Sequence, residues 1–384
     1  MIPYSRQYID KSDIKSIEKV LKSEFLTQGP LVKKFEKEFS KKVNSKFAIA
    51  SNSATSSLLS ACLALGLKKN DIVWTVPITF AATVNCIINS GAKVDFVDID
   101  NKTFNISVKE LEKKLELSKR KNKLPKLVIP VHLGGQPSDQ KKIFNLSLKY
   151  KFKILEDASH SLGATHNREM VGSCKWSDLC VFSFHPVKVM TTGEGGMITT
   201  NNKILYDKIK KIQNNGIEKN FSAFKNKNKA PWYYEYQSPG FNFRMNEISA
   251  ALGLSQLKKL KYFIKERNKI NLIYRSKLKK IPIEFQTILK SNVSTFHLQI
   301  IKFNLKYTKH NYRKIFESFR KKGFFVNLHY MPLHKSPLLK KKFKFKKFPN
   351  SENYASTCIS IPNYVGLNKN QISKVCALIK NLHK

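Results

Sequence analysis

Hydrophobic positions along this chain follow two periods, and the switch between them marks the architecture. Ile14, Ile17, Val20 and Leu21 recur at helical spacing. The run Leu26-Thr27-Gln28-Gly29-Pro30 then breaks the pattern with a Gly-Pro turn, ahead of a second helix over roughly 32–43. From Phe47 onward, short apolar runs at 47–50, 72–74, 94–97, 127–129, 154–155 and 180–182 are separated by helix-length segments. Such βα alternation predicts an α/β fold with a mainly parallel central sheet covered by helices. Ligands of such sheets gather beyond the carboxyl ends of the strands, which is where Asp157 and Ser183 fall. After Leu254-Ser255-Gln256-Leu257 the chain becomes a long lysine-rich helical segment, followed by apolar runs that begin at Phe296 and Phe324. This predicts a large α/β domain over 1–257, including the N-terminal helical segment, and a smaller α+β domain over 258–384. Residues 214–240, polar and lysine-rich ahead of Trp232-Tyr233-Tyr234, read as a mobile loop, and no internal repeat is present.

Composition narrows the class. Of 384 residues, 41% are hydrophobic, an ordinary globular balance. No apolar run approaches the roughly 20 residues of a spanning helix, and Met1-Ile2-Pro3-Tyr4-Ser5-Arg6 lacks the apolar segment of a signal peptide. A cytoplasmic location with no membrane partner is the expectation. The six cysteines form no Cys-x-x-Cys pair, so they read as reduced thiols, with neither a zinc site nor a disulfide framework indicated. The net charge of +43 suggests nucleic acid at first sight. Yet only eight of the 70 basic residues are arginine, the preferred residue for bidentate phosphate and base contacts. The lysines are spread over the whole chain, and the densest run, 340–347, is short. The excess therefore reads as lysine-biased composition that favours anionic ligands, without a nucleic-acid partner.

Against 62 lysines, Lys188 stands out by its surroundings. It ends Ser183-Phe184-His185-Pro186-Val187-Lys188, after the apolar run Leu179-Cys180-Val181-Phe182 and before the turn Gly193-Glu194-Gly195-Gly196. One predicted strand upstream lies Glu156-Asp157-Ala158-Ser159-His160. A lysine on a fixed element can form a Schiff base, and a carboxylate can keep a pyridine nitrogen protonated and electron-withdrawing. Lys188 and Asp157 suit those two roles, which points to pyridoxal phosphate. The run from Ser51 to Ser57, between a strand and a helix, offers small polar side chains and backbone N–H groups for a phosphate. Phe80 is a candidate to stack on an aromatic ring, and His160 to hydrogen-bond a cofactor oxygen.

These segments, with Gly240-Phe241-Asn242-Phe243-Arg244-Met245-Asn246-Glu247 and His329-Tyr330-Met331-Pro332-Leu333-His334, closely resemble the DegT/DnrJ/EryC1/StrS nucleotide-sugar aminotransferases. That family consists of pyridoxal phosphate enzymes of the aspartate-aminotransferase fold, and the resemblance runs nearly end to end. It implies that Lys188 binds the cofactor, Asp157 partners the pyridine nitrogen, His160 neighbours the ring hydroxyl and Phe80 stacks. It further implies that Ala54, Thr55 and Ser183 hold the phosphate and that Asn242 comes from the second subunit, so that a homodimer shares its active sites. Tyr4, the segment Glu24, Phe25, Leu26 and Thr27, and the segment Asn327, Leu328, His329 and Tyr330 match positions that hold the nucleotide-sugar, together with Ala54, Ser183 and Asn242.

The family usually has glycine where Ala54 stands and glutamine where His160 stands. Both departures resemble the branch that serves pseudaminic acid biosynthesis. That branch implies L-glutamate as amino donor and, as acceptor, a UDP-linked 4-keto-6-deoxy-HexNAc, UDP-2-acetamido-2,6-dideoxy-β-L-arabino-hex-4-ulose. Amination of another nucleotide-linked keto sugar, dTDP-, GDP- or D-configured UDP-linked, is the alternative. A dehydratase branch has histidine at the Schiff-base position, so Lys188 argues for amino transfer. A non-catalytic regulator on this fold would lack Lys188 or Asp157, or would carry a DNA-binding segment.

Overall fold

The computed structural model describes residues 1–226 and 230–383. Seven strands, β1 (Phe47–Ser51), β2 (Ile72–Thr75), β3 (Lys93–Phe96), β4 (Leu127–Val128), β5 (Lys153–Asp157), β6 (Leu179–Ser183) and β7 (Gly196–Thr200), form the central sheet in the order β1-β7-β6-β5-β4-β2-β3. All neighbouring pairs are parallel except those made by β7, which runs antiparallel between β1 and β6. The six predicted runs are strands within a residue or two of their expected limits. β7 was not anticipated, because Gly196-Met197-Ile198-Thr199-Thr200 has too few large apolar residues to signal a buried strand, although all five residues are buried. Leu179, Cys180, Val181 and Phe182 have no exposed surface, as a strand covered by helices on both faces requires.

The helices are α1 (Lys11–Leu21), α2 (Pro30–Val43), α3 (Ala54–Ala64), α4 (Ala81–Asn89), α5 (Val108–Lys119), α6 (Gln140–Tyr150), α7 (Lys203–Gln213), α8 (Glu247–Lys258) and α9 (Leu260–Lys277), with shorter or later ones beyond. α2 starts at Pro30 rather than Val32, since proline fits the first helical turn and the Glu247 carboxylate accepts from the Leu31 and Val32 N–H groups. Its apolar stripe packs on the sheet, with Phe39 against Phe182 at 5.2 Å and Phe35 against Phe184 at 5.5 Å between ring centroids. α3 covers the opposite face through Leu58, Ala61 and Cys62. In α1 the expected stripe is narrower than the pattern suggested, because Ile14 and Leu21 are exposed.

Toward the C-terminus, β8 (Ile283–Phe285), β9 (Gln299–Phe303) and β10 (Cys358–Ile361) form an antiparallel sheet with β9 in the centre. It shares a core with Ile270 and Tyr274 of α9 and with Phe319. The apolar run at Phe296 becomes a strand only from Gln299, and the run at Phe324 gives a strand of two residues, Phe324–Phe325, paired in parallel with Ile2–Pro3. Within 214–240, Ile217–Glu218 pairs with Glu235–Tyr236, while 227–229, part of the loop expected to be mobile, lie outside the described residues. Among the described residues, no helix is long and apolar enough to cross a membrane.

Candidate active site

The carboxyl ends of β1, β5 and β6 open onto one cavity of about 440 Å³. Sheet register creates this convergence, because Gly196 at the start of β7 lies opposite both Ser51 and Ser183. Glycine is needed there for close approach. A Cβ on Gly196 would stand 2.6 Å from the Ser53 carbonyl oxygen and 2.7 Å from the Ala54 nitrogen, pushing the start of α3 away. Ser53 caps α3 by accepting from the Ser56 N–H at 3.1 Å. Among the described residues the N–H groups of Ala54 and Thr55 have no acceptor, and both residues line the cavity with Ser183. A helix start with unpaired N–H groups beside a hydroxyl suits an anion.

Asp157 ends β5 and is 4% exposed. Its carboxylate is held on both oxygens, accepting from Thr83 Oγ1 at 2.7 Å on one and from Ser159 Oγ at 2.6 Å and Ser159 N at 3.2 Å on the other. Thr83 is in turn within 2.8 Å of Thr79 Oγ1. Thr83 and Ser159 escaped the sequence reading. Ser159 had a signal, since a serine two residues after an aspartate readily closes a local turn, whereas Thr83 needed the α4–β5 contact to be known.

Lys188 lies across the same cavity. Burial pushes its ammonium from an ordinary 10.5 down to about 8, against an opposing pull from Asp157. No carboxylate lies within ion-pair distance of it among the described residues. Three histidines surround this pole. His160 Nδ1 accepts from the Gly134 N–H at 3.4 Å, which places the ring proton on Nε2, 3.1 Å from Tyr330 Oη. Both nitrogens of His160 are thus engaged by protein groups, and an oxygen ligand would have to replace Tyr330. His329 is held by Ser360 at 2.9 Å, and burial, with the nearby charge of Lys188, takes it down to about 3. His297, which sequence reasoning missed, packs its ring 4.5 Å from His160, and burial keeps both well below the usual histidine range. All three are therefore neutral at pH 7. Phe80, at the start of α4, is 59% exposed and presents its ring to the cavity beside Tyr330.

The cavity thus brings together Tyr4, Ala54, Thr55, Phe80, Asp157, His160, Ser183, Lys188, Asn327, His329 and Tyr330. It does not include Leu328, which packs into the hydrophobic core nearby, or Glu24, Phe25, Leu26, Thr27 and Asn242. The last five are exposed: the Leu26 carbonyl accepts from the Glu247 N–H and Thr27 bridges to Asn246, whereas Asn242 pairs with Asn214. Three more open cavities among the described residues, of about 820, 1050 and 510 Å³, are larger, and the last shares Tyr4 and Asn327 with this one, but none of them holds Lys188 or Asp157.

The profile of the DegT/DnrJ/EryC1/StrS aminotransferase family matches residues 7–380. The chain is 38% identical over 371 residues to the UDP-4-amino-4,6-dideoxy-N-acetyl-beta-L-altrosamine transaminase of Campylobacter jejuni, covering 96% of this chain and 94% of that one. Its fold matches PseC of Helicobacter pylori, an aminotransferase involved in pseudaminic acid biosynthesis, with a TM-score of 0.90, 32% identity and 99% coverage of both chains. It also matches the PLP-form of a putative sugar aminotransferase from Streptococcus pneumoniae, with a TM-score of 0.89, 25% identity and coverage of 99% and 98%. With a half-buried lysine and a fixed carboxylate facing one cavity at the strand ends, the chain belongs to the DegT/DnrJ/EryC1/StrS family and is a pyridoxal phosphate-dependent sugar aminotransferase.

Proposed function

We propose that this enzyme moves the amino group of L-glutamate to C4 of a UDP-linked 4-keto-6-deoxy-HexNAc, UDP-2-acetamido-2,6-dideoxy-β-L-arabino-hex-4-ulose. The observation that carries the site assignment is that Lys188, Asp157 and the free N–H groups of Ala54 and Thr55 line one cavity. When bound, pyridoxal phosphate supplies an aldehyde for amine exchange and an electron-withdrawing ring. Lys188 holds it and moves the protons, taking one from the α-carbon of the amino donor and returning one to C4 of the sugar. A lysine lowered to about 8 has enough neutral amine near neutral pH for that work. Asp157, fixed by Thr83 and Ser159, would face the ring nitrogen and favour its protonated form. Ala54, Thr55 and Ser183 would hold the phosphate and Phe80 would stack on the ring, while His160 would meet the ring hydroxyl only by giving up Tyr330.

The sugar choice is supported by the likeness to the altrosamine transaminase and to PseC, and by Ala54 and His160 at the positions that mark this branch. The nucleotide would be held by Tyr4, by the segment Glu24–Thr27 and by the segment Asn327–Tyr330. A second subunit would bring Asn242 to the cavity. Incubation with glutamate and a panel of UDP-, dTDP- and GDP-linked 4-keto sugars, followed by mass spectrometry, tests the proposal. Amination of the UDP-linked L-arabino ketone well ahead of the rest is expected, and a preference for a dTDP- or GDP-linked sugar would overturn it.

A further inference from the structure

Behind the Lys188 wall of the cavity lies a guanidinium with no counter-charge. Arg267 of α9 is 1% exposed, and no carboxylate lies within ion-pair distance of it among the described residues. Burying a cation without a partner is unfavourable, so what the charge holds in place matters. Its Nη1 donates to the carbonyl of His297 at 3.0 Å and to that of Asn363. Its Nη2 donates to Ser5 Oγ at 3.3 Å, and Ser5 Oγ donates onward to the Val187 carbonyl at 2.7 Å. That carbonyl belongs to the peptide group whose nitrogen is Lys188 N, and Lys188 N in turn donates to the His185 carbonyl at 2.9 Å. The peptide plane carrying Lys188 is therefore fixed on both edges, one of them through a serine from the start of the chain that a buried arginine orients.

The same centre reaches other walls of the cavity. Asn363 donates its main-chain N–H to the Tyr4 carbonyl at 2.9 Å and its side-chain amide to the Phe296 carbonyl at 2.6 Å. Tyr4, Val187 and His297 all line the cavity. A guanidinium suits this task because its planar fork offers several donors in fixed directions, whereas lysine offers one mobile point charge.

We infer that Arg267 is a positioning residue for Lys188, acting through Ser5 on the Val187–Lys188 peptide group. The inference rests on Lys188 being the cofactor-bearing lysine. It concerns the backbone that aims that lysine rather than any group touching the substrate.

The test uses the full-length chain stripped of cofactor and reads the rate at which added pyridoxal phosphate develops the absorbance of the lysine-bound form. Ser5→Ala removes the link at a small buried site. It is expected to slow capture and kcat by about tenfold, with KM for the sugar within about twofold and a melting temperature lowered by no more than a few degrees, since one buried N–H of Arg267 loses its acceptor. Ser5→Thr, which keeps the hydroxyl, is expected to recover the parental rate. Arg267→Lys is expected to slow capture as well, and to add little when combined with Ser5→Ala, since both cut one chain of contacts. Capture by Ser5→Ala at the parental rate, or losses that multiply in the double variant, would overturn the inference. If Arg267→Lys fails to fold, the pair of Ser5 variants decides alone. Borohydride labelling separates the two readings: label on a different lysine defeats the site assignment, whereas label on Lys188 with an unaffected Ser5→Ala rate defeats only this inference.

Discussion

The Lys188–Asp157 pole and the segments proposed to hold the nucleotide and to serve a second subunit are built in different ways. At the Lys188–Asp157 pole, Asp157 is buried and receives three hydrogen bonds, and burial keeps His160, His297 and His329 neutral. Glu24–Thr27 and Asn242 are exposed, with Phe25 and Leu26 about half open to solvent. Groups that must tune a cofactor's charge need a low-dielectric site with fixed partners, because electrostatic effects are strongest there. Groups that recognise a large substrate or complete a neighbour's site must remain accessible until that partner arrives. On the proposed reading, the second region does its work only once a substrate or a second subunit meets it.

Subunit mixing offers the sharpest way to break that contrast. Lys188→Ala and Asn242→Ala chains should each be inactive as homodimers. After subunit exchange a mixed dimer holds one intact site, so random mixing should restore about a quarter of parental activity. Proven exchange with no recovery would place Asn242 outside the neighbour's site. Within the buried pole, Asp157→Asn keeps the shape but removes the charge. It should retain cofactor yet slow single-turnover conversion by glutamate by about a hundredfold, or ~3 kcal/mol. A parental rate in a cofactor-loaded variant would assign the ring partner elsewhere.

Titration probes the same pole. With Lys188 at about 8, the neutral amine of the cofactor-free chain grows as pH rises and is nearly complete above pH 9. Capture of pyridoxal phosphate should therefore rise about tenfold from pH 6 to 7, bend near pH 8 and level off above about 9. A rate still climbing at pH 10 would indicate an ordinary, solvated lysine. The smallest effect is expected at the rim, where Phe80→Ala removes one face of ring contact. It should speed cofactor release about threefold to tenfold, in line with roughly 1 kcal/mol for an aromatic pair. An unchanged release rate would show that the exposed ring stacks on nothing.

The contrast between the two regions also explains what the sequence made legible. The apolar runs at 72–74, 154–155 and 180–182 signalled β2, β5 and β6, because buried parallel strands must be apolar on both faces. Lys188 and Asp157 followed from their places at the ends of such runs. β7 stayed hidden because glycine stands at 196, where α3 presses close, and Thr199 and Thr200 place hydroxyls by Cys174 and the Asp178 carbonyl, which leaves only two large apolar residues in the run. Thr83, His297 and Arg267 were equally invisible. Their roles depend on contacts across 74, 137 and 262 positions, to Asp157, His160 and Ser5, that no local pattern encodes.

The central claim is that Lys188 carries the cofactor, and borohydride reduction of the holoenzyme followed by peptide mapping tests it most directly. The account predicts pyridoxyl mass on the peptide containing Lys188 and on no other. Label on a different lysine, or no retained cofactor in a folded chain, would contradict it.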